Sequence, residues 1–349
     1  MQRISVRDIR LENMQAVFQE IALSGHTSKR EIAEATGLSL VTVGKIVSAL
    51  CRAGILTKVQ TGSTAPGRPA ERFAFQHSAA IPIFDLSCRT FRFSLYTATG
   101  ERIDEVCYRF SSDPQFCNAA FIRFLQRTLQ FLKANYPRLR ILGVGVIVPG
   151  VYEKATDRIF STMIPELSEI KPLQNIEKIF KTGNIIVDNA ARLSAESLFR
   201  TVEGKEDKTL CCLTVNDSVE CAVAERGHFL TGASKLAGRL GDLPHGSLGT
   251  LSDYIAGAVD AVDIEEPLLA LLQIAALAYD PEVLFLLSSR FRFPQEMKER
   301  LAARFAASFV WRGAPPRLAI YNTDLAERQQ SLCLRILDAW FLLHIAKRA

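Results

Sequence analysis

The first fifty residues carry apolar side chains at helical spacing, and the pattern then shifts to alternation and short apolar runs. Met14, Val17, Phe18 and Ile21 predict a helix over 13–24. Thr27 or Ser28 caps a second helix running to Thr36. Glu31 stands three residues after Ser28, the spacing of a capping box. Gly37, Leu38 and Ser39 make a tight turn, Ser39 caps a third helix reaching about Ala53, and Gly54 ends it. Residues 55–59 and 72–75 read as two strands. The stretch TGSTAPGRPAE between them is polar and rich in Gly and Pro, the make-up of a wing loop.

Beyond His77, residues 81–87, 91–103 and 104–110 read as three antiparallel strands, with a turn at Ala98-Thr99-Gly100. An amphipathic helix over 114–136 follows. The apolar run ILGVGVIVPGVY then predicts a buried strand that leaves through a Pro-Gly turn. A short helix over 173–181 leads to the strand NIIVDN and then to the helix AARLSAESLFR; three strands, helix, strand, helix and strand in succession start one α/β lobe. The next lobe has strands LCCLTV and ECAVAE joined by Asn216-Asp217-Ser218. Helices over 251–262, 266–279 and 294–307 are interleaved with strands VLFLLS and RLAIYN. A last helix over 324–347 carries Leu332, Leu334, Ile336, Leu337, Trp340 and Phe341. It packs either at a domain junction or as ordinary core of its own lobe.

The early helix pair has the pattern of a winged helix-turn-helix that binds double-stranded DNA. Ile32, Ala33, Leu38, Val43, Ile46, Val47 and Leu50 can form its core, and Gly37 supplies the backbone freedom of the turn. With those positions inward, Leu40, Thr42, Gly44, Lys45 and Ser48 lie on the open face of the third helix, which can enter a major groove. Ser28, Ser39 and Thr42 suit phosphate contacts, and Lys45 suits a guanine edge or a phosphate. Gly67 and Arg68, in the Pro-Gly-Arg-Pro stretch of the wing, suit a narrow minor groove.

Charge agrees with this reading. The chain has 349 residues and a net charge of +5, and between Met1 and Gln76 bases exceed acids by four. That surplus favours approach to a polyanion. The eight cysteines form no C-x-x-C pair and several lie in apolar runs, so buried free thiols are expected rather than a disulfide framework. The first residues lack the apolar core of a signal peptide, and no run has bilayer-spanning length. The expected location is cytoplasmic, with no membrane partner.

On these residues the chain resembles the ROK family of repressors and sugar kinases. Asn13, the helix pair and Gly67-Arg68-Pro69 are similar to the DNA-binding end of its repressors. Val148-Pro149-Gly150-Val151 is similar to a strand-end turn of its sugar-kinase-like body, and Asp280-Pro281-Glu282-Val283 to its entry into a late strand. The resemblance implies an α/β fold: an N-terminal winged helix-turn-helix over 1–77, then a two-lobed actin-like (ribonuclease H-like) sugar-kinase-type domain over 78–349. Its lobes cover about 78–190 and 191–349.

The family's kinase chemistry is missing at the matching positions. The phosphate turn D-x-G-G-T is here Asp85-Leu86-Ser87-Cys88-Arg89-Thr90, without its glycines. The second phosphate loop, G-T-G-I-G, is Asn216-Asp217-Ser218-Val219-Glu220, and a glycine pair on the adenosine side is Ser288-Ser289. The N-D-A motif of the catalytic base reads Asp188-Asn189-Ala190-Ala191, with Ala190 at the base position unless the alignment slips onto Asp188. In A-G-E-x-G-H, Arg239 replaces the Glu and Asp242 the His. Glu166 replaces the Asn of P-N-L, and the zinc cysteines after His245 are absent.

These departures imply a transcriptional regulator, most simply a repressor, with no catalytic residue, metal or cofactor. The expected partners are a palindromic DNA operator, a second copy of the chain, and a small-molecule effector. Asp85, Glu166, Asp188, Asn189, Arg239 and Asp242 are the candidate ligand residues. Either they recognise a charged or polyhydroxy molecule, or they form salt bridges closing a vestigial cleft. The alternative functions are a sugar kinase with altered motifs and a DNA-bound interaction protein with no effector.

Overall fold

The computed structural model describes residues 6–24, 27–59, 71–76, 78–88, 90–108, 118–246, 249–309, 315–322 and 326–344. In chain order, the N-terminal elements are α1 (Val6–Ser24), β1 (Thr27–Ser28), α2 (Lys29–Thr36), α3 (Leu40–Arg52), β2 (Leu56–Val59) and β3 (Arg72–Phe75). Then come β4 (Ala79–Cys88), β5 (Thr90–Thr97), β6 (Arg102–Tyr108), α4 (Asn118–Asn135), β7 (Arg140–Ile141), β8 (Val144–Val148), β9 (Val151–Glu153) and β10 (Arg158–Phe160). They are followed by α5 (Pro172–Phe180), β11 (Ile185–Asn189), α6 (Ala190–Phe199), β12 (Thr209–Val215), β13 (Val219–Glu225), β14 (His228–Phe229) and α7 (Leu251–Gly257). The last are α8 (Glu265–Tyr279), β15 (Val283–Ser288), α9 (Gln295–Ala307), β16 (Arg317–Asn322) and α10 (Ala326–His344).

The chain divides into two compact units. One holds the residues up to Ile147, residues 171–187 and those from Leu332 on; the other holds 148–170 and 188–331. The fold class expected from the sequence is the one observed. The first unit has a mixed sheet in the order β11-β8-β4-β5-β6, with β4, β5 and β6 antiparallel and β8 parallel to β4. The second unit repeats that plan as β14-β13-β12-β15-β16, with β12 and β13 antiparallel and β15 and β16 parallel to β12. Its strand β15, VLFLLS, is buried at every position, as expected of a strand covered on both faces.

In the first unit, α1, α2 and α3 close over Met14, Val17, Phe18, Ile21, Ile32, Val43, Ile46, Val47 and Leu50, all buried. Ala33 and Leu38, also expected in this core, are only half-buried. Helix α1 begins at Val6, seven residues earlier than the apolar spacing indicates. Thr27 and Ser28 also form a two-residue strand on β3, opposite Phe73 and Arg72. A strand that short has no periodicity to read. Helix α7 stops at Gly257, short of the expected 262, because the Asp263 carboxylate accepts the Val259 and Asp260 amides and folds that segment into a loop.

Helix α10 touches both the helical module and the sheet of the first unit. Leu332 and Ile336 lie over Gly143 and Gly145. A Cβ at Gly143 would come 2.5 Å from Asn184 Nδ2, 2.6 Å from Ile336 and 2.8 Å from the Asn184 carbonyl oxygen. One at Gly145 would come 2.6 Å from Leu332. Buried Asn184 donates to the Leu142 and Ile336 carbonyls at 2.9 and 3.1 Å, joining strand and helix. One or two turns on, Phe341 meets Phe18 edge-on at 5.6 Å, Phe18 meets Phe75 at 4.5 Å, and Arg140 lies over the Trp340 ring at 5.9 Å. Of the two readings of this helix, its residues from Leu332 on support the junction, while Leu332, Ile336 and Leu337 also serve as core.

Gly143→Ala is expected to lower stability by about 1–3 kcal/mol, because the Asn184 backbone cannot move aside cheaply. Gly183→Ala, where an added Cβ meets nothing within 4 Å, should stay within about 0.5 kcal/mol of the parent. Urea denaturation of both variants checks the pair.

Candidate nucleic-acid interface and polar cluster

The α2-turn-α3 unit is held by local hydrogen bonds that its sequence prescribes. Ser28 caps α2: its hydroxyl accepts the Glu31 amide at 3.3 Å, and Glu31 Oε2 accepts the Ser28 amide at 2.8 Å. The bond from that amide, the largest influence, holds the Glu31 carboxyl below its ordinary pKa. Its other oxygen takes Arg72 Nη2 at 2.7 Å and ties α2 to β3. Gly37 adopts the left-handed conformation, φ 69°, and ends α2. Ser39 then caps α3, accepting the Thr42 amide at 3.1 Å.

These caps aim one face of α3 outward. Ser39, Leu40, Val41, Lys45 and Ser48 are exposed, and Thr42 and Gly44 half-exposed. Ser28 stands apart from this set, since it is buried and its hydroxyl is engaged in the cap. Gly67 and Arg68 lie outside the described residues. Val41, 68% exposed, is absent from the set expected from sequence. The signal for it was present: 41, 44, 45 and 48 are three and four apart and share a face.

The candidate ligand residues are distributed over both units. Asp85 belongs to the first, on β4, buried, accepting Ser87 N at 2.9 Å and Ser87 Oγ at 2.6 Å. The others belong to the second. Asp188 is buried and accepts Arg192 Nε at 2.8 Å, Arg192 Nη2 and the Asn189 amide. Asn189 caps α6 through the Arg192 amide at 2.9 Å and donates to the Gly150 carbonyl at 2.7 Å and Glu220 at 3.0 Å. Glu166 is exposed on a 3-10 turn, and among the described residues no hydrogen bond or ion pair joins it to this group.

Arg239 is the hub. Its guanidinium donates to Asp242 at 2.5 and 3.0 Å and to Thr162 Oγ1 at 3.3 Å, and lies 3.8 Å from Glu220. The side chains of Arg239 and Glu220 are each 15% exposed. Burial raises the Glu220 pKa, against the pull of Asn189, Arg239 and the Gly150 amide. The space left among Gly150, Glu220, Arg239 and Asp242 is about 10 Å³, room for one water at most. The flanking glycines have structural reasons to be there. A Cβ at Gly238 would fall 1.6 Å from the Cys221 carbonyl oxygen, and one at Gly241 2.1 Å from Ser252 Oγ.

The turn at Asn216 is filled in the same manner. Asn216 Oδ1 accepts the Ser289 amide at 2.9 Å and the Arg290 amide at 3.2 Å. Arg290 donates to Asp217 at 2.9 Å and to the Ala256 and Ala258 carbonyls at 2.9 and 2.8 Å. Beside the hub, a cavity of about 680 Å³ is open, lined by Arg158, Phe160, Thr162, Ser234, Lys235 and Leu236 among others. His245 packs against the Tyr254 ring at 4.5 Å. Among the described residues no three His, Cys, Asp or Glu side chains are grouped to hold a metal, and no helix is long and apolar enough to cross a membrane.

No family model matches the chain. It is 20% identical over 236 residues to the xylose repressor of Bacillus subtilis (strain 168), a stretch covering 66% of this chain and 60% of that repressor. The chain thus matches less than two thirds of that relative's length. Among solved structures, it is similar to a ROK family transcriptional regulator, a homolog of the E. coli MLC protein. The TM-score is 0.66 at 15% identity, over 96% of this chain and 98% of that one. It is also similar to a ROK family protein of Streptococcus pneumoniae TIGR4 in complex with sucrose, with TM-score 0.55 at 14% identity over 77% and 100% of the two chains. A ROK hexokinase of Thermus thermophilus gives TM-score 0.52 at 15% identity over 74% and 99%. The fold is that of ROK regulators and sugar kinases, and the resemblance read from the motifs is borne out.

Replacing Arg239 by Ala leaves Glu220 without its cation and is expected to cost about 2–3 kcal/mol, below the range for a fully buried pair. Glu220 has a raised folded pKa, so its contribution is most favourable below the ordinary carboxyl pKa and declines as pH rises through the folded value. Without Arg239 that decline extends further upward. The deficit of Arg239→Ala should therefore grow between pH 5 and pH 8; an equal deficit at both, in urea melts, would remove Glu220 from the account.

Proposed function

We propose that the protein is a DNA-binding transcriptional regulator, a repressor in the simplest form, whose kinase-like body no longer transfers phosphate. The observation that carries this reading is the open face of α3, held outward by the Ser28 and Ser39 caps on a helix-turn-helix backed by a β-ribbon. Its N-terminal residues suit base edges, and Ser39, Thr42 and Lys45 suit phosphates. Arg68 and Gly67 join them as the wing contact. A dimer of the chain would present two such helices to a palindromic operator.

The loss of phosphoryl transfer is supported by what occupies the matching positions. Asn216 and Arg290 fill the turn where the family's kinases hold phosphate, and Asp217 adds a negative charge there. Asp188, the nearest carboxylate to the absent base, already accepts both Arg192 nitrogens. Of the two readings of the cluster, the internal salt bridges are favoured for Arg239, Asp242 and Asp188. Effector recognition is assigned to the neighbouring cavity, whose wall Arg239 and Asp242 share and where the hydroxyls of Thr162 and Ser234, with Lys235 and Phe160, suit a polyhydroxy compound.

Genomic footprinting of the full chain is expected to return a small set of inverted-repeat sites. Affinity for such a duplex should fall steeply with salt, and Lys45→Ala should lower the slope of log K against log salt by about one. In a coupled assay with ATP and a hexose panel no turnover is expected. Robust turnover abolished by Asp188→Asn would overturn the regulator reading in favour of a kinase.

A further inference from the structure

The leading turn of α3 is apolar where it is most exposed. Leu40 is 57% and Val41 68% exposed. The fold needs neither: Ser39 caps the helix, and Val43, Ile46, Val47 and Leu50 fill the core beneath it. Gly44 lies four residues after Leu40 and three after Val41, on the same face. A Cβ added there meets nothing within 4 Å, so no neighbour in the fold calls for glycine, although glycine inside a helix is destabilising relative to alanine. An exposed apolar pair and an unexplained missing side chain thus coincide. Lys45 and Ser48 follow on the same face as its polar half.

In a DNA major groove the apolar group on a base edge is the C5-methyl of thymine; the other edges offer donors and acceptors that leucine and valine cannot satisfy. We infer that this face reads thymine methyl groups. Leu40 and Val41 pack on the methyls, and the bare Cα of Gly44 lets the helix axis come close enough for them to do so. Lys45 and Ser48 then supply the polar contacts of the adjacent step. The inference rests on the DNA-binding reading above and adds to it the chemical identity of the bases that specify the site.

The test uses the full chain and a random 30-bp duplex pool. Duplexes recovered by repeated selection are synthesised in two forms, with thymine or with deoxyuridine in the selected positions, which removes methyls and keeps the pairing. The uracil form is expected to bind about fourfold more weakly for each contacted methyl, the worth of one buried methylene-sized group. The Leu40→Ser/Val41→Ser variant, changed only at exposed positions, should bind both forms alike and keep salt-dependent binding to random duplex. Selected duplexes whose two forms bind the parent equally would overturn the methyl reading while DNA binding stands. A preference for thymine that persists in the double variant would overturn its assignment to this face. Absence of duplex binding at low salt, with self-association altered by the double variant, would make the face a protein interface and overturn both readings.

Discussion

Two glycines, one just before β8 and one within it, leave the backbone bare, and a helix from far along the sequence lies on it. Gly143 and Gly145 allow Leu332, Ile336 and the buried Asn184 to close on the backbone of the first unit's sheet. A methyl at either position would lift α10. Its next turns carry Trp340 and Phe341, and Phe341 sits against Phe18 of α1. The helices α1 to α3 are therefore fixed to the sheet by shared core packing as well as by chain connectivity. Aromatic edge contacts such as those of Phe18 with Phe75 and Phe341 add about 0.5–1.5 kcal/mol each beyond buried area. The direction in which α3 points is set through α1, and so through two absent side chains.

The second unit keeps a backbone and changes what it holds. Gly238 and Gly241 remain because no Cβ fits beside Cys221 and Ser252. Between and after them, Arg239 and Asp242 stand where the resembled kinases carry a Glu and a His, and they bind each other. Asn216 and Arg290 do the same for the turn ahead of β13. The backbone amides of Ser289 and Arg290 are satisfied by the chain's own Asn216 side chain, and buried polar groups that already have partners gain little from a newcomer.

The parts legible in the sequence were those with local causes. Ser28 with Glu31, Gly37 and Ser39 announce the helix pair because caps and left-handed turns are decided within four residues. Most of its core followed from a 3.6-residue period, though Ala33 and Leu38 proved half-buried. The apolar stripe of α10 was visible too, but a stripe does not name its partner, and the bare strand waiting for it lies almost two hundred residues away. The ion pairs of Arg239 and Asp188 were equally open: a charged residue at a motif position reads the same whether it faces a ligand or a neighbour. Val41, absent from an expected set that holds its apolar neighbour Leu40, shares the open face by its place in the helical period.

The meeting of Phe18 with Phe341 also imposes an order in time. A ribosome adds roughly 5–20 residues per second, so α1 is made tens of seconds before the aromatic ring that completes its packing. Throughout that interval the side of α1 that Phe341 covers is open, and the nascent helical module lacks one wall of its core. Closing a loop of more than three hundred residues costs entropy, and the contacts of α10 with the sheet of the first unit help to offset it. The packing of the helical module is thus finished only after residues from the other end of the chain have been made.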